Sequence, residues 1–236
     1  MILSSKPLAL ANISLCVNNV LLKPERTIKL LGILIDDKLN FGSHVDMCCK
    51  KAAMQLNAFS RISRYLDVPA KKVVYDSFVR SNFNYCPLVW HFCGKKRNNM
   101  VEKIQERALR IVFKDYSSSY EELLCENGIE SMLMKRLRTL ILEAFKSMTG
   151  VNSNCLNEMF QRKEHSFKFR SHVKLEQRKC DTTTYGLRSI SYLGAKVWND
   201  MPMGVSNLSD LSIGEFRHIL CNMKLQIDMD LYPHYV

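Results

Sequence analysis

From Ser43 onward the apolar residues of this chain recur at spacings of three and four, and that period sets most of what it can fold into. Val45, Cys48, Ala52, Leu56, Phe59 and Ile62 form one helical stripe, and Ser43 can cap its start. Pro69 suits the first turn of a second helix that carries Val73, Val74, Ser77, Phe78 and Ser81 on one side. Asn98 can cap a third helix with Val101, Ile104, Ala108, Ile111 and Val112 as its apolar set. Further helices are expected at about 119–126, 131–148, 154–160 and 212–224. Before Ser43 the period is two. Ile13, Leu15 and Val17 alternate with polar residues as in a half-buried strand, Asn18-Asn19 supplies a tight turn, and Val20–Leu22 returns. Thr27 to Ile35 reads as a third, more deeply buried strand, closed by Asp36-Asp37. Residues 161–210 are irregular, with strand-like pieces at Phe167–Arg170 and Ser189–Tyr192. The expected fold is mainly α, with a small N-terminal antiparallel β element, a helical bundle and a small irregular α+β C-terminal domain. The composition shift near Gly150 to Asn154 is the best boundary.

Composition narrows the function classes. With 236 residues, 47% of them hydrophobic, the chain can bury a core without disulfide staples. Its nine cysteines are scattered and odd in number, which fits reduced thiols inside a cell. It lacks the ~20 apolar residues of a membrane span, and its N-terminus does not read as a signal peptide.

The net charge of +11 is concentrated: residues 41–115 hold 14 basic and six acidic groups. On the third helix Lys103, Arg107, Arg110 and Lys114 fall within about 60° of one another, and Lys95, Lys96 and Arg97 extend the row. Such a rail can follow phosphates, each neutralised phosphate releasing counterions. It can equally be a solvated face on which Glu106 pairs with Arg110.

Other chemistry is thinly encoded. Ile35-Asp36-Asp37 superficially matches the x-Asp-Asp of a polymerase hairpin, but Lys38-Leu39-Asn40-Phe41 leads into a helix rather than a returning strand, and a turn is expected. Cys48-Cys49 and Cys86, His91 and Cys93 lack the paired spacing of a structural zinc site, so the last three read as buried residues of an aromatic run. His44 reads as a packing or capping residue. No Gly-x-Ser-x-Gly turn or Gly-rich phosphate loop is present.

Several motifs together resemble a known family. Lys29-Leu30-Leu31-Gly32-Ile33, Asp36, Leu39-Asn40-Phe41 and His44 are similar to the segment just after the catalytic core of non-LTR (LINE-type, jockey-like) retrotransposon reverse transcriptases. The run from Ser81 to Trp90, Gln105 to Ile111, Asp115 to Tyr120 with Glu122-Leu123-Leu124, and Tyr185-Gly186, Trp198-Asn199, Pro202 and Phe216 follow in the family's order over about residues 27–220. The resemblance implies an end-of-palm element in 1–42, a helical thumb in 43–150 and a post-thumb domain in 151–236. The palm motifs with the metal-binding aspartates lie upstream in the family and are not in this sequence. Divalent metal and RNA-directed DNA polymerase activity are therefore implied for the parent element, while this chain is expected to be non-catalytic and to need no cofactor. The family often ends in a Cys/His-rich segment, whereas Leu225 to Val236 has only His234.

In that light Lys95, Lys96, Arg97, Lys103, Arg107, Arg110 and Lys114 are expected to grip an RNA–DNA hybrid or another nucleic-acid duplex through its phosphates. The missing palm and fingers would be a further partner, and the location nucleus or cytoplasm. Arg170, His172, Lys174, Arg178 and Lys179 either add contacts or form a flexible basic loop. Tyr185, Tyr192 and Trp198 either stack on bases or build the small domain's core. The alternative class is a helical protein-interaction module, or an element remnant without activity.

Overall fold

The computed structural model describes residues 15–23, 25–163, 173–201 and 211–223. The strand-like Phe167–Arg170, as well as Ile13, Pro24, Pro202, Arg170, His172 and the stretch from Leu225 to Val236, lie outside the described residues. The architecture is mainly α with two small antiparallel hairpins near the N-terminus. It divides into two compact units, 1–129 and 130–236.

The first unit opens with β1 (Leu15–Val17) and β2 (Val20–Leu22), joined by Asn18 and Asn19 at φ 50° and 62°. Two consecutive left-handed residues make the turn whose twist matches a hairpin, and asparagine tolerates that conformation. Contrary to the half-buried strand expected here, every residue of both strands is exposed. The third expected strand is in fact a second hairpin, β3 (Thr27–Leu30) and β4 (Ile33–Asp36), because Leu31 and Gly32 turn the chain at φ 47° and 87°. Only Ile33 of this hairpin is buried.

Helix α1 (Gly42–Ile62) buries Val45, Cys49, Ala52, Leu56 and Phe59, close to the expected stripe, while Ile62 is exposed. Asp67 caps α2 (Val68–Val74) by accepting from the Ala70 N–H. A π-helical turn at Tyr75–Val79 and a 3₁₀ turn at Arg80–Phe83 continue it. Here the buried positions are Lys71, Tyr75, Val79 and Phe83, and the face of Val73, Ser77, Phe78 and Ser81 points to solvent. In an ideal α-helix a spacing of four drifts by about 40° per step. The wider i→i+5 turn takes up that drift and keeps all four on one side. The aromatic run then coils through turns, burying Trp90, His91 and Cys93 but leaving Cys86 exposed at φ 44°. Helix α3 (Lys95–Phe113) packs along α1, and α4 (Tyr120–Glu126) follows behind a Ser119/Glu122 capping box.

In the second unit α5 (Met132–Met148) packs against α7 (Ile190–Asn199) and α8 (Ile213–Asn222), with the short α6 (Asn154–Asn157) beside it. The expected strand at Ser189–Tyr192 is the start of α7: the Ser189 hydroxyl accepts from the Tyr192 N–H and caps the helix. Phe145 and Phe216 stack at a centroid distance of 4.0 Å, and Trp198, fully buried, lies 5.9 Å from Phe216. The Trp198 indole N–H donates to the Val173 carbonyl, and the Asn199 amide brackets the Leu175 backbone, accepting from its N–H and donating to its carbonyl. Trp198 is thus a core residue with no face to offer a base. Tyr192 is half-buried, and the Tyr185 side chain lies outside the described residues.

Candidate nucleic-acid interface

Helix α3 begins four residues earlier than its sequence indicates. Gly94, at φ 85°, is the N-cap, and Asn98 is buried, its side-chain oxygen accepting from the Cys93 thiol. Lys95, Lys96 and Arg97 therefore occupy the first turn, with no acid there to offset them. Cations at this end oppose the helix dipole, typically at a cost of about 0.3–1 kcal/mol each.

The seven candidate cations then separate into two groups. Lys96, Lys103 and Arg107 lie within about 40° of one another and over about 16 Å of helix, opposite the buried Val101, Ala108 and Val112, and all three are exposed. Lys95 is exposed at the helix start, and Lys114 at the C-cap, where φ 58° turns it out of the helical path. Arg97 and Arg110 are bound within the fold. Arg97 sits about 100° round the helix from Lys96, towards α1, and its Nε and Nη2 both donate to Asp46 at 3.1 Å. Nε also donates to the Gly42 carbonyl, and a β-carbon on Gly42 would come within 2.6 Å of the guanidinium carbon. The Asp46 hydrogen bond holds the Arg97 guanidinium more firmly protonated than usual. Arg110 pairs with Glu106 at 2.7 Å and donates to the Ser118 carbonyl, pinning the loop that follows α3.

Both acids of the helix are consumed by such contacts. Glu106 holds Arg110, and Glu102 accepts from the Tyr120 hydroxyl at 2.7 Å. Burial first, and the Glu102 charge second, push the Tyr120 hydroxyl far above its usual range, so it remains a donor. What α3 presents outward is therefore Lys95, Lys96, Lys103, Arg107 and Lys114, none in an ion pair among the described residues. One more cation joins them that the sequence did not single out: the Lys72 ammonium stands 5.0 Å from the Phe113 ring, at the C-terminal end of α3. Only the docking of α2 on α3 brings it there, and no local pattern announces that.

The remaining chemistry-bearing residues serve the fold. Asp36 accepts from the N–H groups of Lys38 and Asn40 and closes the turn after β4. His44 is buried, its Nδ1 accepting from the Leu34 N–H at 3.4 Å while Nε2 faces the Cys48 sulfur at 3.7 Å. Burial lowers the His44 pKa and raises that of Cys48, so the two form a neutral contact rather than a thiolate–imidazolium pair. The Cys49 thiol is pushed up to about 12, chiefly by burial. Among the described residues no three His, Cys, Asp or Glu side chains converge as metal ligands. In the second unit Lys174 and Lys179 are exposed, and Arg178 donates to the Glu158 carbonyl. No helix of the described residues is long and apolar enough to cross a membrane.

Over 99 residues, 41% of the chain, the sequence is 27% identical to a probable RNA-directed DNA polymerase from transposon BS of Drosophila melanogaster. The chain includes a reverse-transcriptase-related region. The matched stretch spans 11% of that polymerase. No protein-family profile matches the chain, and no solved structure does.

Proposed function

We propose that this chain is a thumb and post-thumb portion of a non-LTR-type reverse transcriptase and that it grips template–primer nucleic acid by its phosphates. The observation that carries this reading is the division of charge on α3. Its two acids are spent on Arg110 and Tyr120, while five exposed cations have no ion-pair partner among the described residues. A helix that holds its cations in reserve, two of them, Lys95 and Lys96, in a first turn where they oppose the dipole, is built for an anion from outside. The similarity to a transposon polymerase supplies the anion's class.

In this reading the face of Lys96, Lys103 and Arg107 tracks the backbone of an RNA–DNA hybrid or another duplex without reading bases. Residues 1–42 close the palm, 43–150 form the thumb and 151–236 the post-thumb domain. Polymerisation and its divalent ions belong to carboxylates elsewhere in the parent polymerase, and this chain works inside the cell as the non-catalytic, cofactor-free part. Titrating labelled hybrid at several salt concentrations tests the grip. Affinity should fall steeply with salt. A flat response would instead favour a protein-interaction module acting through the exposed Val73 and Phe78.

A further inference from the structure

We propose that the nucleic acid held by α3 carries unpaired nucleotides, and that Tyr116 is the platform on which the first unpaired base stacks; this deepens, and rests on, the phosphate-gripping reading. Tyr116 lies two residues beyond Lys114, and the residue is 72% exposed. It makes no hydrogen bond, ion pair or ring contact with the described residues. Tyr85 and Tyr120 differ in that their hydroxyls donate to the Leu31 carbonyl and to Glu102. Tyr65, the other strongly exposed aromatic, has the Arg64 guanidinium over one face at 4.8 Å.

The backbone beneath Tyr116 is tied down from both sides. The Asp115 carboxylate folds back over its own turn and accepts from the Ser117 N–H, the Ser117 hydroxyl and the Ser118 N–H. Arg110 donates to the Ser118 carbonyl, and Ser119 begins the capping box of α4. The ring is therefore a free aromatic face on a fixed support, at the end of α3 where Lys114 and Lys72 are also found.

Phosphates account for the lysines but not for the ring. Inside a duplex both faces of each base are covered by neighbouring bases, so away from the duplex ends an external ring finds a partner only where a base is unpaired. Base–aromatic stacking tolerates any base, which matches a site that reads no sequence. The ligand chemistry that fits both features is a junction: paired nucleotides along Lys96, Lys103 and Arg107, and a single-stranded extension at Tyr116.

The test compares a blunt RNA–DNA hybrid with the same hybrid bearing a short single-stranded extension, for the whole chain and for Tyr116→Ala, Tyr116→Phe and Tyr65→Ala. The unsubstituted chain should bind the extended hybrid at least about fivefold more tightly. Tyr116→Ala should lose that preference and keep its affinity for the blunt hybrid, whereas Tyr116→Phe and Tyr65→Ala should keep both. A fluorescent base analogue at the first unpaired position should change its emission on binding in every protein except Tyr116→Ala. Equal binding of the two hybrids, a preference that survives Tyr116→Ala, or its loss in Tyr65→Ala would each overturn the assignment. Absence of binding to either hybrid would bring down the gripping reading itself. Salt-sensitive but equal binding of both would bring down only the role of Tyr116.

Discussion

Replacing Lys103 and Arg107 together by glutamine removes two of the five exposed cations of α3 and leaves its buried face intact. If each exposed cation neutralises one phosphate of a duplex, log affinity against log salt has a slope of about −4.5, and a rise from 50 to 200 mM costs about 500-fold. Without the two, the slope becomes about −2.7 and the same rise costs about 40-fold. At 0.1 M salt the double variant should bind about 60-fold more weakly, from two counterions no longer released. Fluorescence anisotropy of a labelled hybrid over a salt series measures both quantities. Arg110→Gln is the matched control, because its guanidinium is already committed to Glu106 and the Ser118 carbonyl. That variant should lower the unfolding midpoint, with the slope little changed. The reasoning is refuted if the double variant retains the full slope, or if Arg110→Gln loses as much slope as either exposed cation does.

Three further outcomes follow from the packing. Arg97→Gln breaks the fork to Asp46 and the bond to the Gly42 carbonyl; since both side chains are part-exposed, the loss should be about 1 kcal/mol, read as a thermal midpoint lower by a few degrees in circular dichroism. Gly194→Ala sets a β-carbon 2.4 Å from the Phe160 ring and 3.3 Å from Leu140, and should destabilise the second unit by about 1–3 kcal/mol in urea titrations; a neutral result would mean that this contact is looser in solution. Burial holds His44 neutral with its pKa below 6.5, so the unfolded chain takes up more protons and stability should drop as pH falls below about 6.5. Urea midpoints at pH 5 and 7.5 should differ less in His44→Gln than in the unsubstituted chain.

The helices were legible because burial imposes their period. Val45, Ala52, Leu56 and Phe59 of α1 and Val101, Ala108 and Val112 of α3 can be read directly from spacing. The fine placement was not, and each departure has its own cause. Gly32 lies within an apolar run that reads as one strand, and its positive φ is visible only once the chain has turned there. Ser189 precedes a run whose spacing suits a strand, and its capping bond decides for a helix. The seven cations look alike in sequence, yet Arg97 and Arg110 are bound by Asp46, Gly42 and Ser118. Asp46 and Gly42 lie about fifty residues away, beyond the reach of any local pattern. Lys72 reaches α3 for the same reason.

The widened turn at Tyr75–Val79 also bears on how this segment can vary in length. Lys71 and Phe83 are twelve residues apart and share the buried side only because of it. Eleven residues complete about three regular turns and return to within about 20° of the starting direction. A relative shorter by one residue between them would close the turn to an ordinary helix with both anchors still facing inward. Alignments of such relatives should therefore tolerate a single-residue gap at 75–79. The same gap inside α3 would swing Lys103 and Arg107 by about 100° against the core and close the cationic face.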